Sequence, residues 1–142
     1  MAEQISIFIE NKEGRLAEVS AILRDAQVNI RALSLADTTD FGVLRLIVND
    51  NDKATAALKR EGFTVGKTQV LAVEVSDNPG GLNKVLDPLS EQDVNVEYMY
   101  AFANPQCKNA IMIFRFDDPK KALEILAEKS IKVITAKEIC DL

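Results

Sequence analysis

Between residues 4 and 10 apolar and polar positions alternate: Ile5, Ile7 and Ile9 fall on one side of the chain and Phe8 on the other. A period of two predicts a strand. After Asn11-Lys12-Glu13-Gly14 the period lengthens, and Leu16, Val19, Ile22, Leu23 and Ala26 recur at helical spacing, leaving Arg15, Glu18, Arg24 and Asp25 for water. Residues 28–36 are strand-like again, Thr38-Thr39-Asp40 is a turn, and residues 41–48 form a third apolar run suited to the centre of a sheet. Asn49-Asp50-Asn51-Asp52 supplies capping side chains ahead of Ala54, Ala57 and Leu58. Gly62 ends that helix, and residues 63–70 supply a fourth strand.

The same succession of periods then returns. A displacement of 66 residues sets Gly14 on Gly80, Leu16 on Leu82, Val19 on Val85, Leu23 on Leu89 and Val28-Asn29 on Val94-Asn95. A displacement of 68 carries Asp50 onto Asp118, Ala54 onto Ala122, Leu58 onto Leu126 and Val65 onto Val133. The second copy is expected to hold a strand over 71–75, the turn Asp77-Asn78-Pro79-Gly80-Gly81-Leu82, a helix over 82–92, strands over 94–103 and 110–116, a helix over 119–128 and a last strand over 132–139. Pro88 should bend the first of these helices, because it lacks an amide hydrogen and crowds the preceding turn. Strand, helix, strand, strand, helix, strand is the ferredoxin-like order. The expected class is therefore α+β: two tandem βαββαβ modules, residues 1–70 and 71–142, each an antiparallel sheet with two helices on one face. No Ser/Pro-rich linker separates them, so they are expected to be locked together rather than tethered.

Composition narrows the function. The chain has 142 residues, 47% hydrophobic and 27% charged, with a net charge of −5 and no basic run. These totals argue against a nucleic-acid or anionic-membrane partner. The start resembles no secretion signal and no apolar span approaches bilayer length, which makes a cytoplasmic location the expectation. Cys107, in the loop 104–109 that takes the two extra residues, and Cys140 stand far apart and outside metal-ligand spacing. Histidine is absent, which removes the commonest general base and transition-metal ligand. With no nucleophile elbow or Walker loop either, no catalysis, metal or cofactor is expected. Tyr98, Tyr100 and Phe102 put three aromatics on one strand face, where packing is favoured over base stacking because no basic groove accompanies them.

The residues that remain distinctive are Glu10-Asn11-Lys12-Glu13-Gly14-Arg15-Leu16 with Val28-Asn29-Ile30, and Asp77-Asn78-Pro79-Gly80-Gly81-Leu82 with Val94-Asn95-Val96. On this pattern the whole chain resembles two tandem ACT domains, the small-molecule-sensing modules attached to many enzymes of amino-acid metabolism. In that family the glycine turn after the first strand and the start of the second strand meet across a domain pair and bind an amino acid. The resemblance therefore implies a site built from Asn11, Lys12, Glu13, Gly14, Arg15, Leu16, Asn29 and Ile30, and from Asp77, Asn78, Pro79, Gly80, Gly81, Leu82, Asn95 and Val96. Glu13 stands where the family's turn usually has proline; the second turn is nearer the common form.

The chemistry of these residues suits an amino acid. Gly14 and Gly80 let the backbone turn sharply and present helix N-terminal amides to a carboxylate. The Asn11 side-chain carbonyl or the Asp77 carboxylate can accept from an ammonium, Asn29 and Asn95 both donate and accept, and Lys12 and Arg15 add positive charge. The same glycines and asparagines also suit plain turn and cap duty. Two functions follow: an amino-acid-binding allosteric regulator, expected to be a homodimer through paired edge strands and to act on a partner enzyme, or a non-sensing subunit that assembles such an enzyme.

Overall fold

The computed structural model describes residues 1–37, 40–102 and 108–141. The Thr38-Thr39 turn and Cys107 lie outside the described residues. The chain divides into two compact units, Glu3–Thr68 and Gln69–Leu142, the latter together with Met1–Ala2.

In the first unit β1 (Ala2–Glu10), α1 (Arg15–Asp25), β2 (Ile30–Asp37), β3 (Phe41–Val48), α2 (Asn51–Arg60) and the start of β4 (Thr64–Val75) follow in that order. The sheet order is β2-β3-β1-β4, so β2 is an edge. β1 pairs antiparallel with β3, Ile5 opposite Leu46 and Ile7 opposite Leu44. Opposed residues point to one face. Ile5, Ile7, Ile9, Leu44, Leu46 and Val48 therefore form one apolar surface, on which Val19 and Leu23 of α1 and Ala54 and Leu58 of α2 pack. Full burial of a side chain such as Leu23 contributes about 1.5–3 kcal/mol. On β2, Leu33 and Leu35 oppose Leu46 and Leu44 on the same face, yet each is half exposed because the edge strand lies beyond the helices' cover.

The second unit repeats this with the rest of β4, α3 (Gly81–Glu91), β5 (Val96–Ala101), β6 (Ala110–Phe116), α4 (Pro119–Glu128) and β7 (Val133–Ile134). β6 lies between β4 and β5, and β7 pairs with β4. Leu71, Val73 and Val75 pack with Val85, Leu89, Phe114, Phe116, Ile125 and Leu126; the Phe114 and Phe116 rings stack with centroids 5.3 Å apart. Of the three aromatics expected to pack, Tyr100 and Phe102 are buried and Tyr98 is half-buried. α3 continues through Pro88. A register shift lies between Ile30 and Ala32 on β2 and, at the corresponding place, between Val96 and Tyr98 on β5. The bulge is thus part of the repeated unit.

Three local expectations need correction. The strands expected over 63–70 and 71–75 are one continuous strand, β4, because no turn residue breaks the run. The second strand of each copy begins about two residues later than expected, since Gln27 and Asp93 take left-handed backbone (φ 58 and 60) to end α1 and α3. Val28 N–H then donates to Leu23 O, and Val94 N–H to Leu89 O, the six-residue closure that satisfies orphan helix carbonyls. Gly62 and Ser130 end α2 and α4 in the same way. Finally, the strand expected over 132–139 is only β7, followed by a helix, α5 (Ala136–Asp141). Its cause is a capping box: Glu138 N–H donates to Thr135 Oγ1 at 3.2 Å, and Thr135 Oγ1–H and N–H reach Glu138 Oε1 at 3.2 and 3.4 Å.

Candidate functional site

The turn Asn11–Gly14 leaves β1 at Glu10 and enters α1. Asn11 N–H donates to Asp40 O at 2.9 Å, tying the turn to the start of β3, and Lys12 N–H donates to Glu10 O at 2.9 Å. Gly14 is the N-cap with φ 84, and no heavy atom would lie within 4 Å of a Cβ there. The demand for glycine is therefore one of backbone conformation, not of space. Gly80 is its counterpart, with φ 85 and the same open surroundings. Gly81 differs: it is buried, and a Cβ would lie 1.9 Å from the Ser76 carbonyl oxygen. The second turn is closed by Asn78 Nδ2 donating to Ser76 Oγ at 2.9 Å and by Gly81 N–H donating to Asn78 O at 2.9 Å.

Helix starts divide into two kinds. Asp50 caps α2 by accepting from Lys53 N–H at 3.0 Å, and Asp118 caps α4 by accepting from Lys121 N–H at 3.1 Å. α1 and α3, which follow the glycine turns, have no side-chain cap hydrogen bond. Helix geometry leaves first-turn amides without intrahelical acceptors, and the positive end of the helix dipole reinforces them. In both copies the helix after the glycine turn has its first amide held by a turn carbonyl, Arg15 N–H on Lys12 O at 3.4 Å and Gly81 N–H on Asn78 O at 2.9 Å, and leaves the amides that follow without a side-chain cap.

The cations beside the first turn already face carboxylates. Arg15 Nη1 lies 3.0 Å from Glu18 Oε2, its Nη2 lies 3.6 Å from Glu10 Oε1, and Lys12 Nζ lies 3.9 Å from Glu10 Oε2. Such exposed pairs hold weakly, so the guanidinium can turn to a ligand at small cost.

Asn11, Lys12, Arg15 and Leu16 line one small cleft with Glu10, Leu35 and Gly42. Its volume is about 80 Å³, well below the roughly 300–1,000 Å³ of a complete small-molecule pocket, so the first unit alone supplies a wall rather than an enclosure. Leu35 and Gly42 were not singled out from the chain. A Cβ on Gly42 would come within 3.4 Å of Leu35 Cδ1 and 3.5 Å of Ile9 Cγ1, so glycine keeps this wall open.

Asn29 and Asn95 are placed by their backbones. Asn29 N–H donates to Asn49 Oδ1 at 2.9 Å and its carbonyl accepts from Asn49 N–H at 3.2 Å; Asn95 makes the same two bonds with Asp117, at 3.0 and 3.1 Å. Asn49 and Asp117 each precede the cap of the next helix and occupy the same place in the repeat. The turn is bound to Asp40 and Asn29 to Asn49, nine residues apart along extended chain, or about 30 Å. Within the unit the two predicted halves of the site therefore stand at opposite ends of the sheet. In the second unit Asn95, Val96, Asp93 and Ser90 border a cleft of about 400 Å³ that excludes Asp77–Gly81.

Among the described residues no three Cys, Asp or Glu side chains are grouped to hold a metal ion. Among the described residues no helix is long and apolar enough to cross a membrane.

A family model described as an ACT domain pair matches residues 1–142. The crystal structure of protein BT0572 from Bacteroides thetaiotaomicron is similar at 43% identity, with a TM-score of 0.93, covering 99% of this chain and 96% of that one. The regulatory subunit of aspartate kinase from Thermus thermophilus, in a ligand-free form, shares the fold at 16% identity and a TM-score of 0.63, over 89% of this chain and 91% of that one. Its counterpart from Thermus flavus does so at 14% identity and 0.62, over 90% and 92%. No curated protein sequence matches the chain.

Proposed function

From the premise that this chain belongs to the ACT domain pair family, we propose that it is an amino-acid-binding regulatory protein whose ligand is held where a glycine turn meets a second module or subunit. The observation that carries this is the contrast between capped and open helix starts: Asp50 and Asp118 close α2 and α4, while α1 and α3 begin at Gly14 and Gly80 with no side-chain cap. An α-carboxylate is the natural acceptor for such donors. Asn11 and Asp77 then serve the ammonium, and Lys12, Glu13, Arg15, Leu16 and Asn78, Pro79, Gly81, Leu82 form the walls. Because the turn and the asparagine that opens the next strand lie at opposite ends of one unit, Asn29-Ile30 and Asn95-Val96 complete a site only from another module. Half-exposed Leu33 and Leu35 on edge strand β2 suit pairing with a second copy, which also removes an open edge. A sensor without catalytic machinery acts on a partner, and the fold shared with aspartate kinase regulatory subunits favours an enzyme of amino-acid metabolism.

One observation favours the alternative, an assembly subunit that binds no ligand: the seat of Gly81 against Ser76 explains the second turn by packing alone. The two are separated by a thermal-unfolding screen against the free amino acids. A ligand at about 100 times its Kd adds about 2.7 kcal/mol, or about 5–10 °C. Gly14→Val with Gly80→Val should remove that shift while leaving the oligomeric state unchanged. No shift with any amino acid, or an unchanged shift in the double variant, would refute the turn as the site.

A further inference from the structure

The duplication permits a comparison at one corner of the fold. In the second unit Asn109 Nδ2 donates to Glu74 Oε1 at 3.0 Å and Lys132 Nζ lies 4.0 Å from Glu74 Oε2, so the corner satisfies itself. The repeat puts Phe8, Phe41 and Thr64 at these three places in the first unit. Phe8 is 53% exposed and Phe41 61%. Because Phe8 opposes Val43 and Glu10 opposes Phe41, the two residues share a face with Glu10 and are diagonal neighbours, with Cα atoms about 7–8 Å apart.

With Arg15, Glu61 and Phe63 they line a cleft of about 360 Å³, which shares Ile9, Glu10 and Arg15 with the small cleft at Leu35. The second unit has the corresponding cleft, about 320 Å³, lined by Glu74, Ser76, Asn109 and Lys132. The fold makes the hollow in both copies, and the side chains give it different chemistry.

That chemistry in the first unit is specific. The Arg15 guanidinium and Glu10 carboxylate stand 3.6 Å apart, with side chains 29% and 54% exposed, an adjacent and loosely held pair of opposite charges. An α-amino acid carries its ammonium and carboxylate on one carbon, so it can replace that contact with two: guanidinium to carboxylate and Glu10 to ammonium. Glu61 at the C-terminal end of α2 adds a second negative pole, and the ring faces also favour a cation.

We propose that this cleft is a second ligand site, formed by the first unit, for a free α-amino acid with an aromatic side chain: its ring packs on Phe8 and Phe41, its carboxylate meets Arg15 and its ammonium meets Glu10. The two clefts share Ile9, Glu10 and Arg15, and this site is set apart from the glycine-turn site by Phe8, Phe41, Gly62 and Thr64.

The test is titration of the full-length chain with L-phenylalanine, followed by the backbone amide signals in NMR. Saturable shifts at Phe8, Phe41, Gly62 and Thr64 are expected. Glycine, which lacks the ring, and phenethylamine, which lacks the carboxylate, should each bind at least about tenfold more weakly. Phe8→Glu with Phe41→Asn installs the pair that the second unit already tolerates and should weaken L-phenylalanine binding by the same factor. Shifts confined to Asn11–Leu16, Leu35 and Gly42 would support the turn site and overturn this one. Shifts at Gly62 and Thr64 without any at Leu35 would support this site and leave the turn site to its own ligand. Equal binding of phenethylamine, no shift at millimolar ligand, or concentration-dependent shifts at Phe8 and Phe41 without ligand, the mark of a second copy seated there, would each overturn the proposal.

Discussion

Gly80 and Gly81 adjoin, but opposite causes require them, and their substitutions should differ sharply. Gly80 needs φ 85 and has open space; Gly81 needs space, since a Cβ would lie 1.9 Å from Ser76 O and 2.9 Å from its carbonyl carbon. Relieving that contact to the 3.0 Å floor for real Cβ atoms takes at least 3.0 − 1.9 = 1.1 Å of backbone movement. The first turn of α3 must lift from the end of β4, and Val85 and Leu89 lie buried along the same helix. A radial gap near 1 Å forfeits up to about half of a dispersion contact. Overpacking ordinarily costs about 1–3 kcal/mol, and with backbone as the obstacle Gly81→Ala should cost about 3 kcal/mol. For a chain of 142 residues, that lowers the Tm by about 6–12 °C. Gly80→Asn should cost under about 1 kcal/mol, because asparagine tolerates left-handed backbone. Thermal and urea unfolding followed by circular dichroism suits a chain with no Trp. Gly81→Ala within about 0.5 kcal/mol of the parent, or equal costs for the two variants, would refute the argument.

Two further outcomes are expected elsewhere in the second unit. Ser130 ends α4 with φ 57 where the first copy has Gly62, so Ser130→Gly should stabilise by about 1 kcal/mol, seen as a higher urea midpoint; a lower midpoint would contradict it. Thr135→Ala removes the cap of α5 and should cost about 1 kcal/mol, with faster hydrogen exchange at the Ile139 amide, which donates to Thr135 O at 3.0 Å. Unchanged exchange there would show that the capping box does not hold the helix.

Much of the candidate site was legible at the level of residue type and little at the level of position. Gly14 and Gly80 stand out because only glycine is at ease in left-handed backbone, so the turns could be named from the chain. Leu35 and Gly42 could not: they join Asn11 and Leu16 through strand pairing across three elements, which no local pattern encodes. Thr135-Ala136-Lys137-Glu138 carried a visible capping signal that the apolar run around it obscured. Arg15 and Gly81 occupy the same place in the repeat yet play different parts, one binding Glu10 and Glu18 and the other clearing Ser76.

The duplication, the order of elements and the core faces follow from periodicity along the chain. A period of two or of 3.6 reflects the geometry of neighbouring residues, which each copy states independently. The remaining features depend on register between distant strands. Tertiary pairing set the turn and Asn29 at opposite ends of β3, ran β4 without a break, and brought Phe8 beside Phe41. Those relations join residues tens of positions apart, and only folding brings them into contact.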